Sequence, residues 1–426
     1  MLLEKLSLFN TKNELFTFLS LCLFILIYSL LIEYNNYTNL TKFDSNIVNA
    51  TVLKQYTKTK LTKKGKTKTY QVLKLKSDKD FSFYTTANKK FEPSKGKKIT
   101  LEIWAGKISF YEYMTSFYSY SRILNVEENI SYKQKLNHFI KQEHENKDVV
   151  SIYQALYTAS PLNSILQEKF STLGVSHLLA ISGFHLGVLS TLLFFLLKTP
   201  YKFFQNRYFP YRAYKRDSFI IIILILFIYL LFLDSPASLL RAFTMLVIGF
   251  FLYDRGYKII SMQTLFLTTV LILVFAPRLL FSLGFWLSIS GVFYIFLFLI
   301  HFKDLSKLWQ FILVPIWIYI MMLPLSLAIF ENFSLYHPLS ILWTSLFTLF
   351  YPLSIFLHMI GFGDLLDIFL VLMLDLSDAG DRVTLSFEII TLFTLNSFIA
   401  IWYKRPLYFL IFLSLFIFIY AIYHVT

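Results

Sequence analysis

Apolar runs of roughly 17 to 23 residues recur along the chain, each long enough as a helix to cross a hydrocarbon core about 30 Å thick. They fall at 16–32 and near 178–197, 218–233, 238–253, 259–275, 279–300, 308–330, 338–360, 385–402 and 406–424. Only 15% of the 426 residues are charged and 56% are hydrophobic, whereas a soluble domain is roughly a quarter charged. The expected fold class is therefore mainly α: a polytopic membrane protein with about ten transmembrane helices, plus a small extracytoplasmic β domain.

The run at 16–32 has balanced flanking charge (Glu4, Lys5, Lys12, Glu14) and no small-residue cleavage site after it, so it reads as a retained anchor and not a signal peptide. Cys22, the sole cysteine, lies inside it. That excludes an intramolecular disulfide and any cysteine-based metal site.

The net charge of +14 is concentrated at 36–110, where 17 lysines face five acidic residues. The same segment reads as β structure. Ile99, Leu101 and Ile103 alternate with Thr100, Glu102 and Trp104, and Tyr70, Val72 and Leu75 recur in a Thr/Lys/Val/Tyr stretch. Turn chemistry at Lys64-Gly65-Lys66 and Glu92-Pro93-Ser94-Lys95-Gly96 separates the strands. Four or five short strands in about 70 residues suit a small closed barrel. The expected organisation is a transmembrane anchor at 1–35, the β domain at 36–110, an amphipathic helical segment at 111–176 on or near the membrane surface, and a polytopic domain at 177–426. Within 111–176 the helical stretches are 132–147, 152–157 and a capped start at Ser160-Pro161 running to Gly174. The short loop at 198–217 holds Lys198, Lys202, Arg207, Arg212, Lys215 and Arg216, and by the positive-inside rule it faces the cytoplasm. The lysine-rich domain then lies outside. The acidic stretch 364–381 is too short to span, and the side of Lys404-Arg405 stays open.

Polar and small residues open the span at 178–197 in Gly174-Val175-Ser176-His177-Leu178-Leu179-Ala180-Ile181-Ser182-Gly183-Phe184-His185-Leu186-Gly187. Gly183 and Gly187 form a small-xxx-small pair that serves helix packing. His185 follows Ser182 by three residues, so both project from one helix face, and a hydroxyl beside an imidazole suits the lining of a polar path. Arg241 sits in an apolar span, where a central arginine costs roughly 2.5 to 3.5 kcal/mol on insertion scales. Two readings stay open for it: an ion pair with Asp234 or snorkelling to the outer surface, and a bidentate phosphate contact. Lysines interleaved with Tyr56, Tyr70, Phe81, Phe83, Tyr84, Phe91 and Trp104 match the chemistry of single-strand binding, backbone charge plus stacking platforms. Most of these aromatics are expected in the core of the β domain, and Trp104, on the polar phase of its strand, is spare. Gly65-Lys66-Thr67 ends like a phosphate-binding loop, but Lys60 stands where that motif needs glycine, so no ATPase is expected.

The stretch from His177 to Gly183, with Tyr153-Gln154-Ala155-Leu156 upstream, closely resembles the HLLAISG signature of the ComEC-type competence protein family. Ser235-Pro236-Ala237-Ser238-Leu239-Leu240-Arg241-Ala242 and Gly284-Phe285-Trp286-Leu287-Ser288 resemble two further blocks of that family. The resemblance runs from about residue 30 to 410. It implies a DNA-uptake channel with an external OB-like domain followed by a helical domain through which one strand passes. Many relatives add a C-terminal metallo-β-lactamase-like domain. No His-x-His-x-Asp-His cluster is present here, so a short form without that domain is expected. Family members often have a disulfide in the external domain, which the single cysteine excludes.

The expected function is an inner-membrane, multi-pass channel for single-stranded DNA in natural transformation. Its path candidates are His177, Ser182, Gly183, His185, Ser238, Arg241 and Ser288, and its capture candidates are Lys63, Lys64, Lys66, Lys68 and Trp104. No catalytic residue, metal or cofactor is expected, and the chain is not read as an enzyme. Each phosphate charge entering a negative-inside cell opposes about 2.3 kcal/mol per 100 mV, so the strand must be pulled or coupled to another gradient. Expected partners are single-stranded DNA, a periplasmic DNA-binding competence protein, a cytoplasmic helicase or single-strand-binding motor, the lipid bilayer, and a second copy of the chain in a homo-oligomer. Two rivals remain: a permease for a small or anionic solute, and an intramembrane hydrolase using Ser182 and His185 with Asp234 as orienting carboxylate.

Overall fold

The computed structural model describes residues 11–61, 67–89, 91, 96–127, 132–179, 181, 183–376 and 380–425. The chain divides into two compact units, one formed by Thr17–Phe139 with Leu273–Ser282, the other by Met1–Phe16, Ile140–Ile272 and Leu283–Thr426.

The first unit opens with α1 (Lys12–Thr41), which carries Cys22 as a buried free thiol. Its strands are β1 (Asn46–Leu61), β2 (Thr67–Ser77), β3 (Ser82–Ala87), β4 (Lys98–Ile103), β5 (Phe117–Tyr118) and β6 (Ser121–Val126), with α2 (Phe110–Met114) before β5. They form one sheet in the order β5-β3-β2-β1-β4-β6, antiparallel except for the parallel β3–β5 pair. The sheet's two edges, β5 and β6, are separated by only Ser119 and Tyr120. Ser119 N–H donates to Tyr84 O on one side and Trp104 N–H to Tyr120 O on the other. Two residues reach at most about 7 Å, so the sheet curls until its edges adjoin. The expected alternation holds in β4, where Ile99, Leu101 and Ile103 are buried with Ala50, Val52, Leu73, Leu75, Phe81 and Phe83. Leu61 pairs with Thr67 across the hairpin expected at Lys64-Gly65-Lys66, residues outside the described ones. Gly96 adopts φ +79°, the left-handed turn conformation that glycine allows without strain.

The sheet does not end near residue 110 as the sequence suggests, because β5 and β6 lie beyond it. Phe117 packs on Phe81 and Phe83, so the strand is fixed by long-range ring contacts, and two residues carry no alternation to read. The anchor helix likewise continues past 35 to Thr41, where Tyr37 donates its hydroxyl proton to Ile108 O at 2.8 Å.

α3 (Tyr132–Glu143) begins in the first unit and passes into the second at Ile140. There follow α4 (Lys147–Thr158), α5 (Ser164–Thr172), α6 (Ser176–Leu179), α7 (Gly183–Tyr208), α8 (Tyr214–Phe232), α9 (Ala237–Asp254) and α10 (Met262–Phe275), whose last three residues count with the first unit. Next come α11 (Leu283–His301), α12 (Lys307–Phe330), β7 (Asn332–Phe333) and α13 (Ser340–Met359). The chain then closes with α14 (Asp367–Asp375), β8 (Asp381–Arg382), α15 (Phe387–Ile399) and α16 (Lys404–Val425). Local chemistry explains several starts: Asn146, Asn163 and Ser306 each accept a backbone N–H at a helix N-terminus. The cap of α5 is thus Asn163, not Ser160, whose hydroxyl bonds Thr158 instead. α4 is packed inside the protein: Val149, Val150, Ile152, Tyr153, Ala155 and Leu156 are all buried. The basic loop is shorter than the expected 198–217: α7 runs on to Tyr208, placing Lys198, Lys202 and Arg207 on helical turns.

This is a membrane protein. Among the described residues six helices are long and apolar enough to cross a bilayer: α1, α7, α11, α12, α13 and α16. α10 and α15, of 14 and 13 residues, are shorter apolar helices and reach only about 20 Å. Large apolar side chains stand open on these surfaces, as Phe24 at 73% and Leu349 at 71% exposure, an arrangement that lipid favours and water penalises.

Within the first unit, the Arg278 guanidinium grips Glu33 through two bonds of 2.9 and 2.7 Å and lies 4.5 Å over the Tyr113 ring. Both charged side chains are under one-fifth exposed. Glu33→Ala strands that cation and should cost about 3 kcal/mol of stability, read as a lower thermal midpoint of the detergent-purified protein. The exchange Glu33→Arg with Arg278→Glu should restore part of the loss.

Candidate functional site

The site grows from the Leu179 to Gly183 interval, where α6 stops and α7 starts. Ile181 is 3% exposed, and its carbonyl accepts the Ser238 hydroxyl at 2.7 Å from the first turn of α9. A carbonyl outside a helix needs such a donor when buried. α9 follows a tight turn in which Asp234 and Ser235 hold φ of +61° and +51°, directly before Pro236. Left-handed backbone costs such residues on the order of 1–3 kcal/mol each, which the packing of Leu233, Leu239 and Ala242 against Leu186, Ile222 and Leu226 offsets. Gly183 lets α7 approach α9: a Cβ built there stands 3.2 Å from the Ala242 Cβ.

Beside this junction lies a cavity of about 310 Å³, edged by Ser160, Gln167, Ser176 and Ser238 among apolar groups from α4, α5 and α6. Arg241 stands one turn beyond Ser238 on the same face of α9. It is 3% exposed, and its Nε and Nη1 have no hydrogen-bond partner among the described residues.

The structure brings together part of the expected set. Gly183 and Ser238 meet at the junction of α6, α7 and α9, with Arg241 one turn further along α9, whereas Ser182 lies outside the described residues. His185 is fully buried and turned toward α13, its ring edge-on to Tyr351 at 4.5 Å and to Phe347 at 5.6 Å. It does not line the cavity. His177 is exposed, with Nε2 3.2 Å from the Thr344 hydroxyl, and Ser288 is half-buried on α11. Of the capture candidates, Lys63, Lys64 and Lys66 lie outside the described residues, as does the Lys68 side chain, while its backbone sits in β2. Trp104 is 44% exposed, as its strand phase suggests, and Tyr118 and Tyr120, which the sequence reading missed, are open beside it in the same unit.

A second polar group, also missed, collects Glu143, His144, Tyr153, Tyr157, Ser354, His358 and Asp367. Burial pushes the Glu143 and Asp367 carboxyls and the Tyr153 and Tyr157 hydroxyls above their ordinary values. Tyr153 belongs to a segment the sequence singles out, but 214 residues separate His144 from His358 and no linear spacing joins them.

A family model described as Competence protein matches residues 158–426. ComE operon protein 3 of Bacillus subtilis (strain 168) is 29% identical over 169 residues, 39% of this chain and 20% of that protein. The match thus spans about a fifth of the relative's length. No solved structure matches the chain.

The α7–α9 contact can be read directly. With Cys22 replaced by alanine, Gly183→Cys with Ala242→Cys should form a disulfide under mild oxidation, because their Cβ atoms fall close to bridging distance. Reductant-sensitive mobility on a denaturing gel reports it, and no cross-link would contradict the helix approach.

Proposed function

Since this chain belongs to the Competence protein family, we propose that it is a multi-pass channel of the inner membrane that carries single-stranded DNA into the cytoplasm during natural transformation. Arg241 carries the reading. A guanidinium removed from water with two nitrogens unsatisfied is costly, and a phosphate oxygen pair is the partner its planar fork fits best. Ser238, on the same helix face, edges the cavity beside the helix junction. In this reading α8 and α9 also span the membrane, and α10 and α15 complete a set of ten. The curled sheet acts as an OB-like, extracytoplasmic capture domain. Its lysines track the backbone, and Trp104 with Tyr118 and Tyr120 offers stacking surface. A periplasmic DNA-binding protein delivers the strand and a cytoplasmic motor withdraws it.

One observation favours a second reading, a permease for a small anionic solute: a cavity of about 310 Å³ has the volume of a small-ligand pocket.

Arg241→Ala should lower transformation frequency at least about 100-fold, the penalty of roughly 3 kcal/mol expected when a buried charged contact is lost. The variant should insert at the normal level, and labelled DNA should halt outside the cytoplasm. Undiminished transformants would remove Arg241 from the mechanism. A deletion strain that transforms normally but fails to accumulate a small anion would establish the permease instead. For the purified full chain, Trp104→Ala should weaken single-stranded DNA binding about 5- to 150-fold if one base stacks there, measured by fluorescence anisotropy at fixed salt.

A further inference from the structure

The corner between α3 and α4 and the end of α13 bring three donor atoms together. Glu143 closes α3, His144 follows it, and His358 is the penultimate residue of α13. Their donor atoms all lie within 4.8 Å of one another. His144 Nε2 faces His358 Nε2 at 3.0 Å, and Glu143 Oε2 is 3.8 Å from the same His358 nitrogen. Glu143 Oε2 is buried and has no hydrogen-bond partner among the described residues. The two imidazole side chains are 0% and 8% exposed.

Hydrogen bonding places the ring protons on the far nitrogens. His144 Nδ1 sits 2.8 and 2.9 Å from the two Asp367 carboxylate oxygens, so it donates to that carboxylate. His358 Nδ1 lies 2.7 Å from Ser354 O, which can only accept. Tyr157 Oη stands 3.3 Å from the same nitrogen, but its proton is committed to Ser354 Oγ, whose own proton goes to Tyr351 O. Everything around His358 Nδ1 therefore accepts, and the nitrogen carries the proton. Both neutral rings then turn bare Nε2 atoms toward each other, next to a carboxylate oxygen unsatisfied among the described residues. Two lone pairs 3.0 Å apart with nothing between them repel.

We infer that Glu143, His144 and His358 form a binding site for one divalent transition-metal ion, zinc by its donor set. Two imidazole nitrogens and a carboxylate oxygen are ligands that zinc accepts at bond lengths of about 2.0–2.2 Å. Tetrahedral ligands at that radius stand about 3.3 Å apart, between the 3.0 and 3.8 Å observed here. The surroundings have the outer layer of a metal site. Each ligating ring donates its remote N–H to an oxygen, Asp367 for His144 and a backbone carbonyl for His358, fixing tautomer and orientation. Tyr153 stacks on His144 at 4.5 Å and holds the ring plane. Gly363 leaves the necessary room: a Cβ there would overlap Glu143 Oε2 and come within 2.9 Å of His358 Nε2. Three protein ligands leave a fourth position for water or an incoming donor. The ion clamps the α3–α4 corner to the end of α13, a long-range tie that the single cysteine rules out as a disulfide.

The test uses the purified full chain, freed of any polyhistidine tag and stripped with chelator. Titration with Co²⁺ should produce the visible d–d bands of a low-coordinate ion at one equivalent per chain, and Zn²⁺ should displace them. His144→Ala and His358→Ala should abolish the bands. Asp367→Asn, which touches no metal, should weaken binding about 10- to 100-fold. Wild-type protein that stays folded yet gives no bands and retains no stoichiometric zinc would overturn the site, in favour of a proton shared between two histidines. So would full binding in both histidine variants. The wild-type titration decides even where a variant fails to fold.

Discussion

A backbone carbonyl that leaves helical pairing in apolar surroundings must find a donor. At Ile181 the Ser238 hydroxyl supplies it. The junction of α6, α7 and α9 is arranged around that bond. It permits the chain to end α6 and restart as α7, and it ties the restart to the first turn of α9. From there Gly183 and Ala242 bring α7 and α9 together, and Leu186, Leu226, Leu239 and their neighbours seal the contact. Arg241, one turn further along the same helix, is buried at 3% exposure.

Polar groups in the membrane unit fall into two kinds. Some are satisfied locally and explain stability: Tyr294 bonds Ser397 across α11 and α15, and Trp317 donates to the Tyr294 carbonyl. Others are buried beyond what folding needs, notably Arg241 and the group around His358. The first kind lowers the cost of burying polar atoms. The second keeps that cost unmet in the protein alone, which is why functional chemistry is assigned to it.

His185 shows why a linear pattern misjudges a membrane helix. Its spacing from Ser182 and the small residues around it suggested a wet face, yet the ring lies between Tyr351 and Phe347 of α13. Which face of a helix meets a neighbour depends on partners about 160 residues away in the chain. Trp104 is the opposite case: strand alternation has a period of two and fixes inside from outside within six residues, so its exposure was legible at once. Tyr118 and Tyr120 were not, because β5 is two residues long and is defined only by its pairing with β3.

Taken alone, the amino-acid sequence determined the solvent, the helices, the β character of the lysine-rich segment and the family blocks, since these follow from hydropathy, period and local motif. The tertiary structure decided where the sheet ends, which helices reach full span, that Arg241 is buried with its Nε and Nη1 unpaired among the described residues, and that Glu143 and His144 meet His358. Those outcomes depend on contacts between segments far apart in the chain. The energy of such contacts lies in packing and desolvation, which no window of neighbouring residues contains.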